Sequence, residues 1–511
     1  MNKILNFLFS RLIFIILGLF IQAFLFVAVI WRFSNLFIYF YIVCFLISLV
    51  AIFFIINDKS NPAYKIAWII PIMLFPIFGG IIYMIFGGDR SSRFTKAKMH
   101  KIQEDMVKYL EPDKRITDEL ELNGRGISNQ SLYIEKASFC PVYKNTASTY
   151  LTPGENMFGI LMDELKSAKK FIFLEYFIIQ EGIMWNSVLD VLREKVKEGV
   201  DVRIIYDDMG TILTLPYRYN KKLEKYGIKC CVFNPFIPVL SIRLNNRDHR
   251  KIAVIDGRTA FTGGINLADE YINVVVKHGY WKDSSIIVKG EAVWSFTIMF
   301  LTLWNYLRKI DDDFRKFKQT PEHLGHCESS GYIQPFTDSP FDDESVGEGI
   351  YLNIINKAEK YVYINTPYLV PDNEMITALC LAAKRSVDVR IITPRIGDKW
   401  FVHAVTRSNY NILIENGVKI YEYTPGFNHA KSIVADDELG VVSTINLDYR
   451  SLYLHFECGT WLYKTRSVYE IKNDFISTMN QSMEILPEHL RSVKWYRRLG
   501  RSILRIFAPL M

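Results

Sequence analysis

Two stretches of the chain share one pattern: HRKIAVID at residues 249–256 and HAKSIVAD at residues 429–436. Each reads H-x-K-x-x-x-x-D, and seventeen residues after each His stands an Asn, Asn266 or Asn446. One H-x-K alone would read as an ordinary strand with a polar end. Two copies with the same offset to an Asn read as two halves of one site. In a strand, residues two apart share a face, so His249 is expected to face the same way as Lys251, and His429 the same way as Lys431. Asp256 and Asp436 complete the catalytic motif, but they lie seven positions on. That odd offset aims them at the other face, and they are expected to serve the turn or the lobe scaffold. Asp256-Gly257 is itself a hairpin signal.

A His–Lys–Asn cluster presented twice suits transfer at a phosphodiester. One imidazole attacks phosphorus and holds the group covalently, which splits one hard displacement into two easier ones. The second donates a proton to the departing alkoxide and later takes one from the acceptor. Lys251, Lys431, Asn266 and Asn446 supply positive charge and fixed donors for the phosphate oxygens. Each His also needs an acid to orient it. Asp283, in GYWKDSSIIVKG, follows Asn266, and Glu457, in LHFECG, follows Asn446. Proximity along the chain pairs Asp283 with His249 and Glu457 with His429. No Walker-type loop is present, and the cysteines and remaining histidines show no metal-ligand spacing. No cofactor and no metal is implied, and His323 and His326 read as loop histidines.

The elements that must position these groups form a duplicate. VDVRII occurs at 200–205 and again at 387–392. Each copy follows a strand-like run, FIFLEYFII from Phe171 or YVYINTPYLV from Tyr361, and precedes a helical stretch and a further strand. Strand–helix–strand–helix–strand in both halves predicts an α/β fold of two lobes, with mixed, largely parallel sheets between helices. The first lobe is placed at 141–325 and the second at 326–490. A loop (SSGYIQPFTDSPFDDESVGEG, from Ser329) opens the second lobe, and 89–140 reads as a charged connector.

Ahead of the lobes lie three apolar runs, 12–31, 36–56 and 66–86. Each has about the 20 residues needed to cross a bilayer. The first is too long for a signal peptide, and the second follows after four residues. Residues 1–88 are therefore expected to be a membrane anchor of two to three helices. The third run is broken by Pro71, Pro76, Gly79 and Gly80, so a kinked span and a re-entrant helix both fit it. Arg90, Arg93, Lys96, Lys98 and Lys101 follow, which predicts lobes on the cytoplasmic side. The ending KWYRRLGRSILRIF, 494–507, suits a basic amphipathic helix on anionic lipid, or equally a tail helix packed on the domain. The net charge of +7 comes with no long basic stripe, so no nucleic-acid partner is expected.

At these residues the chain resembles the phospholipase D superfamily, with its duplicated HKD motif. Within that superfamily it is similar to the bacterial cardiolipin synthases. EYFIIQEG (175–182), YDDMGT (206–211), GGINLADEY (263–271), NTPYLVPD (365–372) and INLDYRSL (445–452) carry the resemblance, together with the apolar start and the basic ending. It implies that two phosphatidylglycerol molecules yield cardiolipin and glycerol through a phosphatidyl-histidine, at a bacterial cell membrane. It favours His249 as nucleophile and His429 as acid–base, although near symmetry leaves those roles exchangeable. The superfamily commonly has Gly-Ser before the Asn segment, whereas here the pairs are Gly263-Gly264 and Ser443-Thr444. The first copy thus lacks a hydroxyl that could contact phosphate, and Thr444 keeps one. The competing readings are a lipid hydrolase, a transferase with another donor or acceptor, an HKD nuclease and an inactive lipid-binding scaffold.

Overall fold

The computed structural model describes residues 24, 27, 28, 37–59, 61–75, 79, 80, 83, 104–235, 246–320, 330–341, 344–491 and 493–510. Each half of the duplicate builds one sheet. The first runs in the order 146–151, 285–290, 259–263, 252–255, 171–176, 201–207, 229–233. The second repeats it as 332–338, 455–463, 439–443, 432–435, 361–365, 388–394, 419–423, with 482–484 added at the far edge.

Both sheets are mixed, but the expectation that they are largely parallel is wrong. In the first sheet only 171–176 with 201–207, and 201–207 with 229–233, run parallel. The remaining neighbours are antiparallel. Helical crossovers such as Ile183–Lys197 give parallel neighbours, whereas the motif strand turns back on itself through a three-residue loop and gives an antiparallel one.

Two further expectations need correcting. The stretch read as a loop opening the second lobe contains the strand Tyr332–Asp338, paired along its length with 457–463. It sits at the sheet edge, where Pro335 is tolerated because its missing N–H faces no neighbour. The connector expected over 89–140 is, in its described part, largely structured. Lys114–Leu122 and Arg125–Ser138 are helices, and Leu120, Ile127 and Ile134 are buried in the second lobe's core. Gln334 ties them down, its side-chain N–H groups donating to the carbonyls of Ser131 and Cys140.

The two sheets share one apolar core. Phe173, Val254 and Ile286 from the first meet Tyr363, Val434, Val442 and Leu462 from the second, around the buried helix Val293–Arg308. With their inner faces joined, strand 259–263 of the first sheet lies against 439–443 and 455–463 of the second.

Asp256 and Asp436 bond backbone groups from the turns that follow Ile252–Ile255 and Ser432–Ala435, as the turn reading expects. The histidines and lysines precede those strands, so strand parity does not decide it. Asp256 accepts from the backbone N–H groups of Lys169, Lys170 and Phe171 at 2.7–2.9 Å. Asp436 repeats this with Glu359, Lys360 and Tyr361 at 2.7–2.9 Å. Each carboxylate thus caps the start of the neighbouring central strand from a turn position of positive φ (51° and 57°). Asn tolerates that conformation but offers one acceptor oxygen in place of two. Asp436→Asn is therefore expected to cost about 1–2 kcal/mol of stability. Thermal unfolding should show this, with turnover per folded molecule largely kept.

Among the described residues no helix is long and apolar enough to cross a membrane. The run 12–31 lies outside them except for residues 24, 27 and 28, as do the basic residues 90–101, His323 and His326. The second apolar run forms the helix Phe37–Asn57, packed against Pro62–Leu74. The third run is not one continuous helix. Its first part ends at Leu74, after Pro71, and Gly79 returns so close that a Cβ there would lie 2.4 Å from Ile72 Cα. The turn before that helix docks on the second lobe, where Asn61 Nδ2 donates to Asp372 Oδ2 (3.2 Å) and to the Tyr453 hydroxyl (3.1 Å). The C-terminal helix Trp495–Ile506 lies on Trp400–Glu415. Ala508 joins Val370, Val405 and Tyr449 in a small apolar cluster that Ala63 also touches.

Candidate active site

The motif histidines lie where the chain crosses between lobes. Arg247–Asp248 pairs in parallel with His455–Phe456 of the second lobe, and three residues later Ile252–Ile255 joins the first lobe's own sheet. Symmetrically, Gly426–Asn428 pairs with Tyr280–Lys282 of the first lobe before Ser432–Ala435 joins the second sheet. His249 and Lys251, like His429 and Lys431, therefore occupy three-residue links between strands. The His249 amide donates to the Phe456 carbonyl (2.9 Å), and that of His429 to the Lys282 carbonyl (2.7 Å). Asp207, in the YDDMGT block, accepts from the amide of Asp248 at 3.1 Å and steadies the first crossing.

This exchange overturns the expected pairing of acids. His249 Nδ1 lies 2.9 and 3.0 Å from the two oxygens of Glu457, and His429 Nδ1 lies 2.6 Å from Asp283 Oδ2. Each acid belongs to the other lobe. Chain proximity pointed to the same lobe, but each histidine leads off from a strand borrowed by its neighbour, beside that neighbour's acid. Both acids are fully buried. With Nδ1 turned to a carboxylate, Nε2 of each ring is left for chemistry.

The two histidines and two lysines of the motifs are all buried. Lys251 Nζ donates to the His249 carbonyl (2.7 Å), and Lys431 Nζ does the same to that of His429. Burial, with Lys251, Lys431 and His429 nearby, holds His249 well below the ordinary histidine range. Burial and then Lys431 push His429 down to about 4. Both rings are thus neutral at neutral pH, the state in which an imidazole attacks. Burial also lowers Lys251 to about 7 and Lys431 to about 8. Although burial opposes it, His429 and Lys431 keep the Asp283 carboxyl below its ordinary value.

A proton balance follows from those lysines. Between pH 7 and 8 the empty site holds them partly neutral, and a bound oxyanion raises both pKa values. Binding of a phosphate analogue such as tungstate should therefore take up protons. Calorimetry at pH 7–8 in two buffers of different ionisation heat should give a positive proton number.

The expected phosphate-binding residues differ in engagement. Asn266 accepts from the Ile178 amide (3.0 Å) and donates to the Tyr271 hydroxyl (2.7 Å). Asn446 is buried with its Oδ1 unpaired. Thr444 turns its hydroxyl onto Glu457 Oε2 and lies against the Cys458 carbonyl, so it braces the acid of His249. The corresponding Gly264 does something different. A Cβ there would fall 2.1 Å from Asp283 Oδ1, so the missing side chain is the space that the Asp283 carboxylate occupies. Gly264→Ala is expected to displace that carboxylate from His429. An error of about 1 Å at a catalytic group costs about 100-fold, and steady-state rates of the folded variant would show it.

Sequence reasoning missed the buried network behind His249. Arg250 Nε lies 2.7 Å from Glu175 and 3.1 Å from Asp248. The second lobe fills the same place with neutral groups, Asn428 Nδ2 donating to Asn365 Oδ1 (3.0 Å) and Asn365 Nδ2 to the Ser432 hydroxyl (3.2 Å). The x of H-x-K carried no warning, because the two copies, Arg250 and Ala430, differ there. It also missed the rings around the histidines. Trp281, Phe427 and Tyr271 lie 5.2–5.6 Å from His429, and Phe177 and His455 lie 5.1 and 5.5 Å from His249.

The family described as "Cardiolipin synthase, PLD-like domain" matches this chain twice, over residues 161–289 and 351–479. The chain belongs to this family. Each match holds one H-x-K motif, its Asn and one of the exchanged acids. A second family, described as "Phospholipase_D-nuclease N-terminal", matches residues 46–88. Among curated relatives, an uncharacterised protein of Streptococcus mutans is 44% identical, covering 90% of this chain and 99% of its own. Proteins named cardiolipin synthase from Halalkalibacterium halodurans and Geobacillus thermodenitrificans are 32% and 34% identical. They align with 89% and 91% of this chain, and with 90% and 92% of theirs. Among solved structures, the phosphatidylserine synthase of Haemophilus influenzae superposes with a TM-score of 0.55 at 15% identity, covering 75% of this chain and 98% of that one. That likeness speaks for the fold.

Proposed function

We propose that this chain is a membrane-bound phosphatidyltransferase that converts two phosphatidylglycerol molecules into cardiolipin and glycerol. The observation that carries the reading is the convergence of two complete H-x-K motifs, each histidine held by a buried acid of the other lobe. His249 Nε2 attacks the phosphorus of the first lipid and forms a P–N bond. The P–O bond to the headgroup glycerol breaks, and His429, having gained a proton as the anionic lipid enters, gives it to the leaving alkoxide. The hydroxyl of a second phosphatidylglycerol then returns a proton to His429 and attacks the same phosphorus. The P–N bond breaks and His249 is regenerated. Lys251, Lys431, Asn266 and Asn446 hold the phosphate oxygens through both steps. One phosphodiester is exchanged for another, so no nucleotide is consumed.

The membrane seat fits the substrate. Ile42, Phe45, Leu46, Leu49, Val50 and Phe53 stand exposed on the helix Phe37–Asn57, a surface that hydrocarbon would cover. Trp495, Leu499 and Ile503 are exposed on the C-terminal helix among Arg497, Arg498 and Arg501, as an anionic interface requires. The lobes then lie on the cytoplasmic side of a bacterial cell membrane.

The test is product analysis on vesicles of phosphatidylglycerol labelled in the headgroup glycerol, with chelator and no nucleotide. Cardiolipin and labelled glycerol should appear in equal amounts. Phosphatidic acid as the sole lipid product would make the chain a hydrolase, and no lipid turnover with salt-sensitive DNA binding would revive the nuclease.

A further inference from the structure

The two halves of the site part company at one position. Two residues before Asp283 stands Trp281, and two residues before Glu457 stands His455. Trp281 sets its ring 5.2 Å from that of His429. His455 brings a third imidazole beside His249 with its Nδ1 buried and without a hydrogen-bond partner. That nitrogen lies 3.7 Å from Glu457 Oε1, too far for a hydrogen bond. The same oxygen is 2.9 Å from His249 Nδ1. One donor atom from each of His249, His455 and Glu457 can be chosen so that all lie within 4.8 Å of one another.

The distances and the donor types agree on one ligand class. Donors about 2.0–2.1 Å from a tetrahedral Zn2+ stand about 3.4 Å apart, and the separations of 2.9 and 3.7 Å bracket that edge. Two imidazoles and a carboxylate suit Zn2+ and its neighbours, whereas Mg2+ and Ca2+ prefer oxygen alone.

We propose that His249, His455 and Glu457 form an inhibitory site for a divalent transition ion of the zinc class. The consequence for the proposed transfer reaction is a matter of tautomers. In the empty site His249 carries its proton on Nδ1, facing Glu457, and keeps the Nε2 lone pair for phosphorus. An ion takes the Nδ1 lone pair, so the proton moves to Nε2 with no net gain or loss, and the attacking lone pair is gone. Three protein donors leave a fourth position to water. The His429 side cannot do this, because Trp281 has no donor of that kind.

The untagged full chain in detergent, titrated with Co2+, is expected to develop the visible absorption of four-coordinate cobalt at one equivalent. Zn2+ should abolish that absorption by displacement. His455→Asn should lose the band and raise the half-inhibiting Zn2+ concentration for phosphatidyl transfer by about tenfold or more. X-ray absorption on the wild-type Zn2+ complex needs no variant and should show imidazole scattering. A missing cobalt band, an unchanged band and inhibition in a folded His455→Asn protein, or a zinc shell without imidazole would each overturn the proposal. The cobalt and zinc spectra read the site without any turnover, so a failure of the transferase reading leaves them decisive.

Discussion

Neither His249→Asn nor His429→Asn is expected to make cardiolipin at a measurable rate, a loss of about 10^4-fold or more. Without an imidazole at 249 there is no nucleophile to form the P–N bond. Without one at 429 the glycerol alkoxide leaves unprotonated and the second lipid's hydroxyl has no base. Groups that act as one unit fail together, so the double variant should be no worse than either single one. Asn is chosen because it is polar and leaves in place the backbone carbonyls that accept from Lys251 and Lys431. Circular dichroism and unchanged membrane extraction would confirm folding. Acid-quenched wild-type protein analysed by mass spectrometry should carry the phosphatidyl group on His249. An adduct on His429 would exchange the two roles, and activity above 1% (about 10^-2) of wild type in either variant would refute the covalent scheme.

The second large effect concerns the exchanged acids. Glu457→Gln should lower transfer by about 10^2- to 10^4-fold, the upper figure being that of the Asp-to-Asn change in a serine protease triad. The amide can offer an N–H to Nδ1, which shifts the ring proton to Nε2 and blocks attack. Because Glu457 acts on His249, the loss should nearly vanish in a His249→Asn background, where only residual turnover remains. Asp283→Asn should behave in the same way toward His429. Ring-nitrogen NMR gives an independent reading: Glu457→Gln should change the tautomer of His249 and leave His429 in place. A response confined to His429 would restore the same-lobe pairing and contradict the geometry.

These two experiments separate what each source of information supplies. The repeat, the identity of the histidines and lysines and the turn placement of Asp256 and Asp436 are local in the chain, because turn chemistry acts over a few residues. The acids Asp283 and Glu457 were also recognisable as candidates. Their partners were not, since strand exchange joins His249 to a residue 208 positions away. The edge strand Tyr332–Asp338 was hidden by Pro335 and by turn-forming neighbours, and the helices 114–138 by a polar composition that belongs to their outer faces. Gly264 looked like a lost hydroxyl, and only the carboxylate beside it explains the glycine. His455 was an ordinary residue before an acid until the second-lobe strand brought it next to His249.

By itself, then, the sequence determined the chemistry: paired imidazoles, lysines and amides suited to a phosphodiester, on a duplicated α/β frame. Only the tertiary structure decided which acid serves which histidine, which polar groups are braces and which stay free, and where the two halves differ. The physical reason is range. Residue type and strand period are set by neighbours in the chain, while hydrogen bonds between the lobes depend on how two sheets, packed through one core, lend each other a strand.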